Sequence, residues 1–380
     1  MYISAMKCMP VQCGNLRSSV AVIGAGVSGL IAARELARRG IDVKVYDQKP
    51  KPGYPVRASG IFSISGLEGL GIGYKPAITN TLYGAMIYVG TKKMKVLSNE
   101  PQAYVLDRLR LNEICMEEAE KHGASIELGK RLDGETLDKI HNDSIIIGAD
   151  GVPSLVASHF HFPPIHRHIL TYRAEYGYSL EDTRLAELYF DKKTTPGFFA
   201  WISPESSNVT EIAVGVDSRY GNSKSAFDKF LQKRRARGIA LHSKQISGSA
   251  SIIPISLRKR LVNEREEVLL IGDAAGQTKP STGGGIIFGG NAAITAAKAV
   301  AAHIRNGLPL TSYEKKWKSE FSKEIRLHEA SRRIYSSKGF GIMLLIMKYL
   351  GIDSLLGTYG NMDKPTKIVK DIILRRKQHG

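Results

Sequence analysis

Two short apolar runs, separated by a glycine-rich turn and a helical stretch, open the patterned part of the chain. Residues 20–23 and 43–46 are apolar, residues 24–29 read G-A-G-V-S-G, and residues 30–39 show helical spacing. A glycine turn between an apolar strand and a helix is typical of a parallel unit, so this pattern predicts a β-α-β start.

The hydrophobic pattern then changes twice. Residues 49–60 predict a loop, and a helix at 108–121 precedes strands at 125–128 and 145–147. From about 159 to 255, short alternating segments predict an antiparallel sheet with one helix, namely strands at 188–190, 198–202 and 211–216 and a helix at 225–237. An apolar strand at 268–271 and a helix ending near Ile304 return to the first pattern.

These periodicities predict an α/β fold with a Rossmann-like nucleotide-binding layer, an inserted antiparallel-sheet substrate domain and a C-terminal helical cap. We expect a disordered extension at 1–19, the nucleotide-binding layer at 20–75, 101–157 and 260–305, the substrate domain at 76–100 and 158–259, and the helical region at 306–380.

Composition excludes several classes of protein. The chain is 43% hydrophobic and 24% charged, which excludes wholesale disorder. Its three cysteines provide no disulfide framework and no zinc-ligand spacing, so we expect a cytoplasmic location and no metal site. The chain has no apolar run of about 18 residues, which makes a spanning helix unexpected. The residues before Val20 lack the apolar core of a signal peptide.

The net charge of +18 is concentrated towards the C-terminus, because residues 305–380 contain 16 basic and 7 acidic residues. Residues 339–350 are apolar and rich in Met, and residues 364–377 mix Ile and Leu with six basic residues. We expect an anionic membrane surface as a partner, although a core helix followed by a solvated tail would give the same pattern. No nucleic-acid-binding motif surrounds the basic residues, so we expect no nucleic-acid partner.

The strongest local motif for a cofactor is formed by Gly24, Gly26 and Gly29, which follow the first strand and open a helix. Glycines let the backbone approach a pyrophosphate, and the helix N-terminus adds partial positive charge. Asp47 ends the next strand, where a carboxylate can accept hydrogen bonds from ribose hydroxyls. This motif alone leaves FAD and NAD both open.

A second motif favours a flavin. Residues 272–286 read G-D-A-A-G-Q-T-K-P-S-T-G-G-G-I and follow an apolar strand. Asp273 is suited to bind a ribityl hydroxyl, and the amides of Gly285 and Ile286 would face the pyrimidine end of the flavin ring. The helix dipole at that point would stabilise negative charge on a reduced flavin. An ordinary capped helix is the alternative.

With these motifs the chain resembles the FAD flavoproteins that share the aromatic-hydroxylase fold, and within them the geranylgeranyl reductase family. The resemblance covers about residues 20–305 and depends on the glycine motif, Y-V-L-D-R at 104–108, Asp150-Gly151 and above all residues 272–286. It implies FAD contacts at Gly24, Gly26, Gly29, Asp47, Ala58, Ser59, Gly60, Arg108, Asp273, Gly285 and Ile286. Arg108 would pair with the pyrophosphate.

The resemblance also implies the reaction, which is saturation of prenyl-chain double bonds in isoprenoid or archaeal-type lipids. An external donor (a ferredoxin, a reduced nicotinamide or a deazaflavin) would reduce the FAD, whose N5 atom would be the hydride source. No acid–base side chain is evident from the sequence, so no proton donor is assigned.

A substrate pocket is expected at Phe199, Trp201 and Pro204, where such reductases have an aromatic-x-Trp-x-aromatic-Pro motif. Phe199 replaces the usual Tyr and Ser203 the second aromatic, and a plain core strand is the alternative. Two other departures concern the flavin: Ala58 stands where many of these reductases have a cysteine, and Ala157 where the superfamily often has an arginine.

Two other functions remain open from the sequence. A flavin-dependent monooxygenase or halogenase would share the fold, and halogenases also have a Trp-containing, Pro-ending motif near the flavin. The chain could also be a non-catalytic protein that binds FAD and a lipid, since a catalytic thiol is missing at Ala58.

Overall fold

The computed structural model describes residues 17–236, 244–337, 339–350, 352 and 363. Residues 1–16 of the expected extension and the basic segment 364–377 lie outside these described residues. Ser19 already belongs to the first strand, so the folded part begins before Val20.

The helices and strands follow one another in this order. The first half comprises β1 (Ser19–Ile23), α1 (Val27–Ala37), β2 (Asp42–Tyr46), β3 (Ile61–Ser63), α2 (Ile64–Glu68), β4 (Ile78–Leu82), β5 (Gly84–Val89), β6 (Lys92–Leu97), β7 (Ala103–Leu106), α3 (Arg108–Lys121), β8 (Ser125–Glu127), α4 (Gly134–Asp143), β9 (Ser144–Gly148) and α5 (Leu155–His159). The second half comprises β10 (His168–Tyr176), β11 (Leu185–Phe190), β12 (Ala200–Pro204), β13 (Thr210–Asp217), α6 (Ser223–Ala236), β14 (Gln245–Pro254), β15 (Val262–Asn263), β16 (Val268–Leu270), α7 (Ile286–Asn306), α8 (Thr311–Tyr335) and α9 (Phe340–Tyr349).

The first layer is a six-stranded sheet in the order β15-β16-β9-β1-β2-β8. All of its pairs are parallel except β15 with β16. The central strands are continuous apolar runs because helices cover both faces of a parallel sheet. Val20, for example, lies between Val43 and Ile145 and is 1% exposed.

The second layer is a seven-stranded sheet in the order β14-β10-β13-β12-β11-β5-β6. One face packs on α6, where Val214, Phe227 and Phe230 are buried. The opposite face is turned towards the first layer, since Ser249 of β14 donates a hydrogen bond of 2.8 Å to the carbonyl of Val56. This face contains the aromatic cluster of Phe198, Phe199 and Trp201.

The predicted fold class is confirmed, with two differences in detail. The inserted sheet is not wholly antiparallel, because β5 pairs in parallel with β11. Residues 76–100 contribute to two sheets: β4 joins a small sheet with β7 and β3, whereas β5 and β6 extend the seven-stranded sheet. The domain bounds stay a prediction.

The described part of the C-terminal region, from α8 to the end of α9, is helical, as predicted. Trp317 and Phe321 of α8 pack against Phe288 of α7, and α9 lies against β5 and β6. Within the described part of the chain, none of the helices combines the length and the apolarity needed to cross a bilayer.

Candidate functional site

The glycine turn after β1 is built so that one side stays open. A Cβ on Gly24, whose φ is +113°, would lie 2.3 Å from the carbonyl oxygen of Ala149, and one on Gly29 would lie 2.0 Å from the carbonyl oxygen of Gly24. A Cβ on Gly26 would meet no atom within 4 Å. Gly24 and Gly29 therefore allow close packing, while Gly26 leaves room beside the N-terminus of α1 for a ligand.

Asp47 holds this turn in place. Its carboxylate accepts hydrogen bonds from the backbone N–H groups of Ala25, at 2.7 Å, and of Lys49, at 2.8 Å. A carboxylate has about four acceptor positions, so Asp47 can still accept a bond from a ligand hydroxyl. The sequence suggested a ribose contact, and the structure adds that Asp47 also positions the glycine turn.

Asp273 and Gly285 lie in contact at the start of α7. A Cβ on Gly285 would approach within 2.7 Å of Oδ1 of Asp273, so a larger residue would displace the carboxylate. Gly285 caps α7 and Ile286 is its first residue. The helix N-terminus, with its partial positive charge, is thus next to a carboxylate that accepts no hydrogen bond from any described residue.

Arg108 is the second charged group without a direct partner. Its guanidinium lies over the ring of Phe62, 5.3 Å from the centroid, and forms no hydrogen bond or ion pair with the residues described. Burial lowers the pKa of Arg108 to about 10, against the opposing effect of Asp273. Burial likewise raises the pKa of Asp273 to about 6, against the opposing effect of Arg108. Arg108 and Asp273 are close enough for each charge to affect the pKa of the other, but no hydrogen bond or ion pair joins them.

The segment 58–60 contributes a third polar side chain that has no hydrogen-bond partner among the residues that the structure describes. Oγ of Ser59 is buried and has no hydrogen-bond partner within the described chain. Gly60 accepts a bond of 2.8 Å from the N–H of Leu106, which brings this segment close to Arg108. Ala58 is exposed.

These features fit FAD. An open glycine turn at a helix N-terminus suits a pyrophosphate, Arg108 can neutralise it, and Asp273 and Ser59 can bond ribityl or ring polar atoms. When bound and reduced, FAD supplies two electrons as a hydride from N5. The residue-by-residue contacts with FAD remain predictions.

The three predicted pocket residues do not share one face. Phe199 is buried and Trp201 half-buried on the side facing the first layer, with ring centroids 5.7 Å apart. Strand alternation puts Pro204 on the other side, where its carbonyl accepts a bond from Asn80. A cavity of about 260 Å³ lies beside the aromatic cluster, lined by Phe190, Phe198, Tyr335 and Phe340, among others.

Sequence reasoning missed a buried charged cluster on this same face. Arg173 of β10 donates to both Glu175 and Glu211, and Trp201 donates through Nε1 to Glu211 at 2.9 Å. The signal was present in the sequence, since charged residues interrupt the alternating strands T-Y-R-A-E-Y and T-E-I-A-V. Burying a charge in a strand costs free energy unless the charge is paired, so charged residues in buried strands are candidates for buried ion pairs.

A buried ion pair joins Asp363 to the glycine-rich loop at residues 272–286, which we call the flavin loop. Nζ of Lys279 lies 2.6 Å from Oδ1 of Asp363, and the two side chains are 7% and 5% exposed. Ser63 donates to the same carboxylate. Burial, followed by the charge of Lys279, lowers the pKa of the neighbouring His328 to about 4.

We expect Asp363→Ala to lower the free energy of unfolding by about 3–5 kcal/mol, because it leaves the Lys279 ammonium buried without its counter-charge. Chemical denaturation of the FAD-loaded protein measures this change. The control is Glu320→Ala, which breaks an exposed pair with Lys316 on α8 and should cost less than about 1 kcal/mol. Equal effects of the two substitutions would contradict the prediction.

Comparison with known proteins identifies the family. Residues 17–319 match the FAD binding domain family. The chain is 30% identical over 335 residues to a digeranylgeranylglycerophospholipid reductase of Methanothermobacter thermautotrophicus, covering 80% of this chain and 83% of the relative. A geranylgeranyl bacteriochlorophyll reductase-like structure from Thermoplasma acidophilum has a TM-score of 0.78 at 20% identity and covers 93% and 95% of the two chains.

A flavin-dependent brominase also shares the fold, with a TM-score of 0.68 at 14% identity, covering 95% of this chain and 99% of the other. The family match confirms FAD as the cofactor and an FAD-dependent oxidoreductase as the class of enzyme. The chain belongs to the digeranylgeranylglycerophospholipid reductase family of FAD-binding flavoproteins.

Proposed function

We propose that this chain saturates double bonds of geranylgeranyl chains in archaeal-type membrane lipids. The observation that carries the proposal is the contact between the flavin loop and the aromatic face of the second sheet. A Cβ on Gly283 would lie 3.0 Å from Cδ1 of Ile253 and 3.6 Å from the ring of Phe198. The loop predicted to face the flavin ring therefore adjoins an apolar surface.

That surface is suited to a hydrocarbon chain. Phe198 and Phe199 stack with centroids 4.4 Å apart, and Phe190 and Tyr335 pack around them. Aromatic faces contribute large apolar contact areas and can stabilise developing positive charge on an alkene carbon. The relative named digeranylgeranylglycerophospholipid reductase, 30% identical to this chain, supports the reductase over a monooxygenase.

The proposal is tested with chemically reduced enzyme, kept free of oxygen, and a geranylgeranylated glycerophospholipid. We expect mass spectrometry to show a gain of two hydrogens for each double bond reduced. Incorporation of oxygen or halide under aerobic conditions would favour the monooxygenase or halogenase alternative. Bound FAD without any lipid product would favour the non-catalytic alternative. Replacing the chemical reductant by ferredoxin, reduced nicotinamide or deazaflavin then identifies the donor.

We also propose that α9 lies on an anionic membrane surface. Only Leu344 of this helix is buried, at 1% exposure, whereas Ile342, Ile346 and Tyr349 are 63%, 52% and 91% exposed. Lysines flank this apolar face: Lys348 lies on the helix itself, and Lys92 of β6 lies beside Gly341 near the start of the helix. Apolar insertion and lysine attraction to lipid headgroups act together in such an arrangement.

We expect the protein to sediment with anionic vesicles at low salt and to be partly released at high salt, where screening shortens to about 3 Å at 1 M. Ile346→Glu in α9 should abolish sedimentation, and deletion of residues 364–380 should reduce it. The matched control is Ile246→Glu, which changes an equally exposed isoleucine on β14, at the other edge of the sheet. Equal loss of binding in both glutamate variants would contradict this surface.

A further inference from the structure

The charged cluster beside Trp201 contains more carboxyl groups than its one guanidinium can neutralise. Glu175 and Glu211 lie directly opposite each other on β10 and β13, and Arg173 bonds to both. Like charges in opposite positions of a sheet repel each other, so both carboxylates depend on Arg173. Glu211 is fully buried, with 0% exposure.

Glu205 is the third carboxyl group of the cluster. It follows β12 by one residue, and strand alternation carries it to the face that holds Trp201 and Ser203. Oε1 of Glu205 is buried without a hydrogen-bond partner in the described structure. Because Arg173 is committed to Glu175 and Glu211, Glu205 has no counter-charge of its own.

A second buried polar group lies beside Glu205. Ser203, directly opposite Glu211, is 0% exposed, and its hydroxyl is close enough to the Glu205 carboxyl to act on its pKa as a hydrogen-bond donor. Buried polar groups that are not fully paired often line the place of a ligand or water. Trp201, Ser203 and Glu205 thus form a row that runs from the aromatic cluster to an unpaired acid.

This row is close to the flavin site. Arg108, from the first layer, is near enough to Arg173 and Glu211 for their charges to affect its own pKa, and it is also affected by Asp273. Trp201, Ser203 and Glu205 lie on the face of the second sheet that is turned towards the first layer, where the predicted cofactor contacts lie. A prenyl chain extended along this row would pass both Trp201 and Glu205, which are four residues apart on the same strand face.

Resting on the proposed function, we propose that Glu205 is the general acid that protonates the prenyl double bond. Saturation of one double bond takes one hydride and one proton. The hydride comes from the reduced flavin, which the proposed reaction already requires. The carboxyl O–H bond of Glu205 breaks as a C–H bond forms on the other alkene carbon, and the carboxylate left behind takes a proton from solvent before the next turnover.

The electrostatics agree with this role. Burial, and then the negative charge of Glu211, raises the pKa of Glu205 well above its usual range, while Arg173 acts in the opposite direction. Glu175 adds to the repulsion. This direction favours the protonated form of Glu205, which a general acid needs before it reacts.

The first test is independent of turnover. Infrared spectra of the oxidised, lipid-free protein at pH 7 should contain the carbonyl band of a protonated carboxylic acid that Glu205→Gln removes. The control is Glu187→Gln, in β11 on the opposite face, where the carboxylate is bonded to Arg234 and Tyr189. This control should retain the band. An unchanged band in Glu205→Gln would overturn the assignment.

The second test uses pre-reduced holoenzyme and the geranylgeranylated lipid. Glu205→Gln should slow double-bond reduction by about 10²–10⁴-fold, the usual contribution of a general acid, with FAD content unchanged. Glu205→Asp should recover part of the rate, and the wild-type rate should fall at alkaline pH. A wild-type rate in Glu205→Gln would overturn the inference, whereas an inactive wild-type enzyme with the infrared band present would count against the proposed function alone.

Discussion

Asp273→Asn should make the FAD-free protein more stable at pH 7 and at the same time weaken its hold on FAD. Burial raises the pKa of Asp273 to about 6, so the folded protein binds this proton more tightly than the unfolded chain. Stability therefore falls as the pH rises from about 4 to about 6 and stays lower above that, by roughly 3 kcal/mol. An asparagine avoids that cost, but it replaces a charged acceptor for FAD by a weaker one.

Thermal unfolding of apoprotein from pH 4 to pH 8 measures the first effect, and the stability gap between variant and wild type should close at pH 4. FAD titration measures the second, with affinity expected to fall by about 1–3 kcal/mol, or roughly 5- to 150-fold. Asp228→Asn changes an exposed carboxylate on α6 and should do neither. A variant that binds FAD as tightly as wild type would show that Asp273 does not contact the cofactor.

Trp201→Ala should lower kcat/KM for the prenyl lipid while FAD stays bound. The indole is half-buried, packs on Phe199 and donates to Glu211, so its loss removes an apolar wall and leaves a buried carboxylate oxygen unpaired. Loss of about 2 kcal/mol of contact with the hydrocarbon corresponds to roughly a 30-fold decrease.

Trp201→Phe separates the two contributions, because it keeps an aromatic surface but removes the N–H group. We expect it to retain most of the affinity for lipid. Steady-state kinetics with flavin absorbance as a check on cofactor content makes the measurement. Loss of FAD or of folding in Trp201→Ala would instead favour a purely structural role for this strand.

The parts of the site that local sequence predicted are those built from neighbours in the chain. The glycine turn and the 272–286 loop each lie within a short segment whose conformation depends on its own glycines, and Asp47 directly follows the strand β2. The predicted helix at 108–121 coincides with α3, whose N-terminal N–H groups are capped by Asp107. Short-range hydrogen bonds of this kind are visible in a sequence pattern.

The charged cluster was not predictable in the same way. Arg173 and Glu211 meet because β10 and β13 pair in one particular register, and sequence periodicity does not specify which strands pair. Asp363 meets Ser63 across 300 positions of the chain. Similarly, the sequence pattern of residues 76–100 does not show that β4 and β5 find partners in different sheets.

The parallel pairing of β5 with β11 has a consequence for synthesis of the chain. β6 ends at Leu97 and β11 begins at Leu185, so roughly 90 residues emerge before the β5–β6 hairpin gains its neighbour. At about 5–20 residues per second, synthesis of these residues takes roughly 5–20 s, and the hairpin has no neighbouring strand during that time. An isolated two-stranded hairpin is marginally stable and has open edges, so during that interval this ribbon is open to wrong pairing.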